Sequence, residues 1–277
     1  MKRALNSLSV LGHTEPRLHL KQLRSHLMQH AREPLAAVRG LMQSHRLLCL
    51  GEMHDFAGRY LLPDLVAAAA EAGAQWLFLE AYHHEQPQID HFVQTGKTVD
   101  LPESMGGGGE PVMQFQQPYV DMLHRARQHD LRMVAIDLPS ASLDERNWHM
   151  AQAIAGCLNS APDSCGVVVV GQLHLVPRHM LGHGDSMSTL LRKHWAGSLV
   201  TLGRAVPDRM PQFSVWSDVA AVRKPKLLSM NESPFATLPA THYEDTLVGS
   251  DFDHLLFYPA AAALDSSPQL GRESMAA

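Results

Sequence analysis

Four short apolar runs divide the first two thirds of the chain, and each stops at a glycine or an acid. They are Leu47-Leu48-Cys49-Leu50-Gly51, Trp76-Leu77-Phe78-Leu79-Glu80, Met133-Val134-Ala135-Ile136-Asp137 and Val167-Val168-Val169-Val170-Gly171. Continuous apolar runs of this length, without polar alternation, predict strands buried on both faces. A fifth strand is predicted at about 198–202 and a late one at about 252–258. Between them lie helical segments at about 58–72, 112–129, 143–159 and 185–195. Gly73 is the stop signal of the first, and Ser142 or Asp144 the cap of the third. Strands alternating with helices predict an α/β fold, a mainly parallel open sheet with helices on both faces.

Other segments carry less pattern. Residues 15–44 read as helical, with Leu18, Leu20, Leu23, Leu27, Leu35, Val38 and Leu41 at loose three- and four-residue spacing and Pro34 as a break. This N-terminal preface (1–44) is read either as a cover for the sheet edge or as a homodimer face. The stretch from Tyr82 to Pro111 has a poor core signal and contains Gly106-Gly107-Gly108-Gly109. It and the less regular region after 205 are expected to form pocket walls and a mobile cover. The α/β domain is placed at 45–262, and the small, polar stretch 263–277 is read as a disordered tail.

Composition narrows the class. The chain has 277 residues, 45% of them hydrophobic, enough for a sizeable core. A net charge of −5 with 23 Lys+Arg argues against a nucleic-acid partner. Cys49, Cys157 and Cys165 are odd in number and make no C-x-x-C pair, the pattern of a reduced compartment. The start Met1-Lys2-Arg3 is followed by a stretch too polar for a signal sequence, and no apolar run reaches the ~20 residues of a membrane span. The expectation is a soluble cytoplasmic protein. Of its 18 histidines, His19, His26, His30, His124 and His129 fall on helix surfaces and read as solvated.

The candidate chemistry collects at the strand ends. The spacing G-x-x-H occurs twice, in Gly51-Glu52-Met53-His54 and Gly171-Gln172-Leu173-His174. In an open α/β sheet, ligands bind outside the carboxyl ends of the strands, so Glu52, His54, Glu80, Asp137 and His174 fall at one candidate site. Glu52 and His54, two apart, point to one side of an extended segment. A carboxylate beside an imidazole makes a general base or two metal ligands; the plain alternative is a charged loop with Asp55 as a helix cap. Glu80 at the end of a buried strand must be paired with a cation or bound to a ligand. Arg146, early in its helix, is placed to hold an oxyanion or a carboxylate, or else is simply exposed. Tyr82 and His83 follow Glu80 and, with Asp137, are ligand-contact candidates. His179 and His183 lack the neighbouring Glu of a zinc helix and read as surface loop. Walker A, G-x-G-x-x-G and G-x-S-x-G motifs are absent from the sequence.

In this order, Gly-Glu-x-His after the first strand, a strand-terminal Glu, Arg146-Asn147-x-x-Met150-Ala151 at a helix start, a second Gly-x-x-His and Phe252-Asp253-His254-Leu255-Leu256-Phe257 resemble the erythromycin esterase-like/ChaN-like group of the Tiki/TraB/Pasteurella-toxin superfamily. The resemblance covers about 44–260. It implies a polar site at Glu52, His54, Glu80 and His174 with Arg146 beside it. Where the family motif often reads Arg-Asp, this chain has Arg146-Asn147, one charge fewer. Gly-Glu-x-His resembles the ChaN-like branch, whose members bind haem and are lipoproteins; this sequence has no lipobox cysteine.

Two function classes follow. The first is an acid–base enzyme of hydrolase type acting on a small organic substrate: His54 as general base, Glu52 and Glu80 orienting it, His174 and Arg146 stabilising an oxyanion. In a metal-dependent version Glu52, His54, Glu80 and His174 ligate Mn, Fe or Zn. The second is a non-enzymatic haem- or iron-binding protein, with Tyr82 or His83 at the ligand.

Overall fold

The computed structural model describes residues 16–54, 59–102, 105, 116–139, 141–177, 184–205, 222, 224–236 and 249–258. The glycine run 106–109, Asp55, His179, His183, most of the region after 205 and the tail 263–277 lie outside these residues. Two helices, α1 (Pro16–His30) and α2 (Pro34–Ser44), precede β1 (Leu47–Glu52). There follow α3 (Leu62–Glu71), β2 (Ala74–Tyr82), α4 (Gln86–Thr95), α5 (Gln117–Gln128) and β3 (Arg132–Asp137). Then come α6 (Leu143–Ser160), β4 (Cys165–Gly171), α7 (Met187–His194), β5 (Leu199–Ala205), β6 (Lys226–Ser229) and β7 (His254–Phe257). The seven strands form one sheet in the order β3-β2-β4-β1-β5-β7-β6. Every pairing is parallel except β6 with β7.

The side-chain alternation of the strands sorts the core into two layers. Leu47 and Cys49 of β1, with Val168 and Val170 of β4, face α1, α6 and α7 through Leu27, Ile154 and Leu191. Leu48 and Leu50, with Val167 and Val169, face α2, α3, α4 and α5 through Val38, Leu65, Phe92 and Leu123. The sheet is therefore covered on both faces, which is why its strands read as unbroken apolar runs.

Local signals set several boundaries. Ser142 caps α6 in a reciprocal box with Glu145. Gly73 takes φ +106 after α3, a conformation that favours glycine. The first segment is two helices joined at Arg32, whose N–H and C=O pair with Leu227 of edge strand β6 at 2.8 and 3.0 Å. The preface thus covers an edge, the first of its two expected roles.

Two elements depart from the sequence reading. Part of the stretch expected to be irregular is helix α4, which buries only Ile89 and Phe92. A two-residue stripe is too short to register as periodicity. Strand β6 is the other: four residues, antiparallel, with Leu227 and Leu228 buried.

Gln86, at the start of α4, closes the opposite edge. Its amide donates to Met133 O at 3.0 Å and accepts from the Ala135 N–H at 2.8 Å, standing in for the strand β3 lacks. Gln86→Ala is expected to lower stability by ~1–3 kcal/mol in urea unfolding and to increase aggregation, since two edge groups lose their partner. An unchanged midpoint would show the amide to be dispensable.

Candidate active site at the carboxyl edge of the sheet

Strand order alone gathers the candidate residues. Asp137 ends β3, Glu80 lies near the end of β2, His174 sits in the one-turn helix after β4, and Glu52 ends β1, four neighbouring strands in a row. The helix after β1, α3, lies on one face, whereas the helix after β4, α7, lies on the other. β1 and β4 therefore flank the switch point where open α/β sheets form a crevice.

On the β1 side, Glu52 is 3% exposed and held by Arg59, whose Nε and Nη2 donate to its two oxygens at 2.9 Å each. The guanidinium lies 4.7 Å from the centre of the Tyr119 ring. His54 Nδ1 sits 2.7 Å from Glu52 Oε1 and 3.2 Å from Arg59 Nη2. Nδ1 cannot both donate to the carboxylate and accept from the guanidinium; the shorter contact to Glu52 assigns the proton to Nδ1. Nε2 is then a bare acceptor, on a ring that is 63% exposed.

On the β4 side, Glu80 is the hub. Its Oε1 accepts from Arg146 Nη2 at 2.8 Å and lies 3.2 Å from His174 Nε2, while its Oε2 accepts from the Gly171 N–H at 2.6 Å. Asp137 grips Arg146 through two bonds of 2.8 and 2.7 Å. His174 Nδ1 lies 2.6 Å from Asn147 Oδ1, and the Asn147 amide is oriented by donating to Asp185 O. Both His174 nitrogens face acceptors, so both contacts are hydrogen bonds only in the doubly protonated ring.

The electrostatics follow from these contacts. Burial works to raise the Glu52 pKa, but hydrogen bonds from His54 and Arg59 outweigh it and hold it low. Burial likewise opposes ionisation of Glu80; His174, the Gly171 N–H and the His54 charge overcome it and bring it to about 2. His54 is raised, chiefly by its hydrogen bond to Glu52. Burial pushes the Tyr119 phenol up, so it stays protonated at neutral pH.

The two halves meet at Gly171, where an added Cβ would lie 3.4 Å from both Glu80 Oε2 and His54 Nε2. A cavity of about 50 Å³ opens there, lined by Glu52, His54, Arg59, Glu80, Met105, Gln116 and Tyr119. It has room for a few waters or one small polar group.

Several expectations change. Arg146 and His174 stand behind Glu80 rather than among the lining residues, so they hold the carboxylate instead of meeting an oxyanion. Asp137 has both oxygens on Arg146 and is an anchor, not a ligand contact. Tyr82, 38% exposed, stacks on His84, and His83 lies against His149, all on the rim. Among the described residues no group of three His, Cys, Asp or Glu is disposed to hold a metal ion. Glu52, His54, Glu80 and His174 therefore do not form the expected metal shell: Arg59, Arg146 and an N–H already supply the positive charge.

Asn147, which the sequence reading left without a role, contacts His174 Nδ1 through its Oδ1. Arg59 and Tyr119 were not legible as site residues. The signal for Arg59 was the need of a buried Glu52 for a cation.

No protein-family model matches the chain, and neither does any curated protein. Among solved structures it is similar to a succinoglycan biosynthesis protein, 11% identical, covering 87% of this chain and 97% of that one with a TM-score of 0.63. It is also similar to a Bacillus cereus protein, 14% identical, covering 86% and 96% with a TM-score of 0.53. ChaN of Campylobacter jejuni, in a structure with cofacial haem, is 10% identical over 81% and 91%, with a TM-score of 0.46. The chain spans only 39% of a bacterial protein toxin that it also matches. At these identities the likeness shows a shared fold alone.

Stability should depend on acid through Glu80. Its contribution is present above the unfolded value of 4.5 and is lost as pH falls through about 2. The loss is on the order of 3 kcal/mol. Glu80→Gln should flatten the fall in unfolding free energy across this window; an unaltered pH dependence would refute the assignment.

Proposed function

We propose that the chain is an acid–base enzyme of hydrolase type, acting on a small polar ester, lactone or amide at the crevice between β1 and β4. The observation that carries this reading is His54, with Nδ1 on buried Glu52 at 2.7 Å and the opposite nitrogen bare at the cavity. In this orientation the carboxylate fixes the tautomer and stabilises the imidazolium that forms. His54 Nε2 takes a proton from water, the resulting hydroxide attacks the carbonyl carbon, and the imidazolium returns the proton to the leaving group as the acyl bond breaks. Arg59 and the protonated Tyr119 are the donors nearest the oxyanion. Glu80, fixed by Arg146, His174 and Gly171, supplies a constant negative charge that favours the imidazolium.

The exposed Tyr82, His83 and His84 rings, with half-buried His149 against His83, support a second reading, a planar ligand such as haem on the rim. The cavity itself is far too small for one. Haem titration separates the readings: a Soret shift lost in His83→Ala favours the rim ligand.

Against a panel of chromogenic esters, lactones and amides, His54→Ala is expected to lower turnover by ~10²–10⁴-fold. Tyr119→Phe should lower kcat by ~10²-fold. Because only neutral His54 is a base and its pKa is raised above 6.5, kcat/KM should climb with pH through a value above 6.5. Full activity in His54→Ala would eliminate the mechanism.

A further inference from the structure

Arg204 on β5 is 1% exposed, yet among the described residues no acid pairs with it. Its Nε donates to Gly51 O at 2.6 Å and its Nη1 to the Tyr258 hydroxyl. Its Nη2 is buried without a partner among the described residues. Beside it, Gln172 Oε1 accepts the Arg204 N–H at 2.5 Å, and Gln172 Nε2 is also buried and unpartnered. Both side chains converge on Gly51, whose added Cβ would lie 3.0 Å from Gln172 Cγ.

Two leftover donors on side chains that both border Gly51, one of them on a guanidinium, need more than a water. A water would accept both hydrogen bonds but leave the buried charge uncompensated, which is the costlier deficit. Arg59 and Arg146, at the same sheet edge, each have carboxylates. Arg204 lacks what they have. We propose that Arg204 and Gln172 form a buried subsite for a small carboxylate anion, its two oxygens taking Nη2 and Nε2. A carboxylate supplies both the charge and the paired acceptors that a forked donor set favours. The subsite borders Gly51, the residue before Glu52, but does not depend on the acid–base reading of His54.

Thermal unfolding of the full chain, titrated with sodium acetate against sodium chloride at matched ionic strength, tests this. A saturable rise in Tm is expected with acetate and not with chloride. Arg204→Met should weaken the response at least ~10-fold. Gln172→Glu, which puts a carboxylate oxygen where Nε2 stands, should raise the ligand-free Tm and abolish the acetate response. It keeps the test decisive if Arg204→Met does not fold. A Tm that responds equally to both salts, or an acetate response that survives Gln172→Glu, would overturn the subsite.

Discussion

A carboxylate carried to the end of a buried strand must find positive charge, and that requirement organises this molecule's functional edge. Glu52 and Glu80 are brought out of water by the strands they belong to. Each is met by an arginine from the chain that follows a strand, Arg59 before α3 and Arg146 on α6. Each also touches a histidine. The acids stay ionised despite burial because these partners outweigh desolvation. The histidines take their orientation from the acids, and the cavity is what remains between them. Removing either arginine would leave a buried charge uncompensated, more disruptive than removing the whole pair.

The arrangement splits the two histidines that the sequence presents as repeats. His54, exposed and bound through one nitrogen, is left with a bare acceptor at the cavity. His174, 4% exposed and bound through both nitrogens, is a strut between Asn147 and Glu80. The glycines of the two motifs differ in the same way. Gly51 is hemmed in by Gln172, Leu202 and Leu175, so it serves packing. Gly171 lends its N–H to Glu80 and leaves space between Glu80 and His54.

Much of the sheet was legible because burial on both faces writes a strand as an uninterrupted apolar run. β1 to β5 follow those runs, and the strand-end rule brought Glu52, His54, Glu80, Asp137 and His174 to one edge. What sequence could not supply was direction. The strand-end rule does not say that Asp137 turns to Arg146, or that Arg59, just ahead of the helix that follows β1, folds back onto Glu52. α4 and β6 escaped for a related reason: each buries two apolar side chains, too few to set a period. The solved structures of similar fold add the architecture but not the chemistry, since one fold hosts many functions.

The most direct measurement is the protonation of the His54 ring, read from long-range proton–nitrogen NMR correlations of ¹⁵N-labelled histidine. Above the His54 titration, the ring is expected to carry its proton at Nδ1, toward Glu52, and to be bare at Nε2. A His54 ring carrying its proton on Nε2 would contradict the orientation on which the proposed site rests.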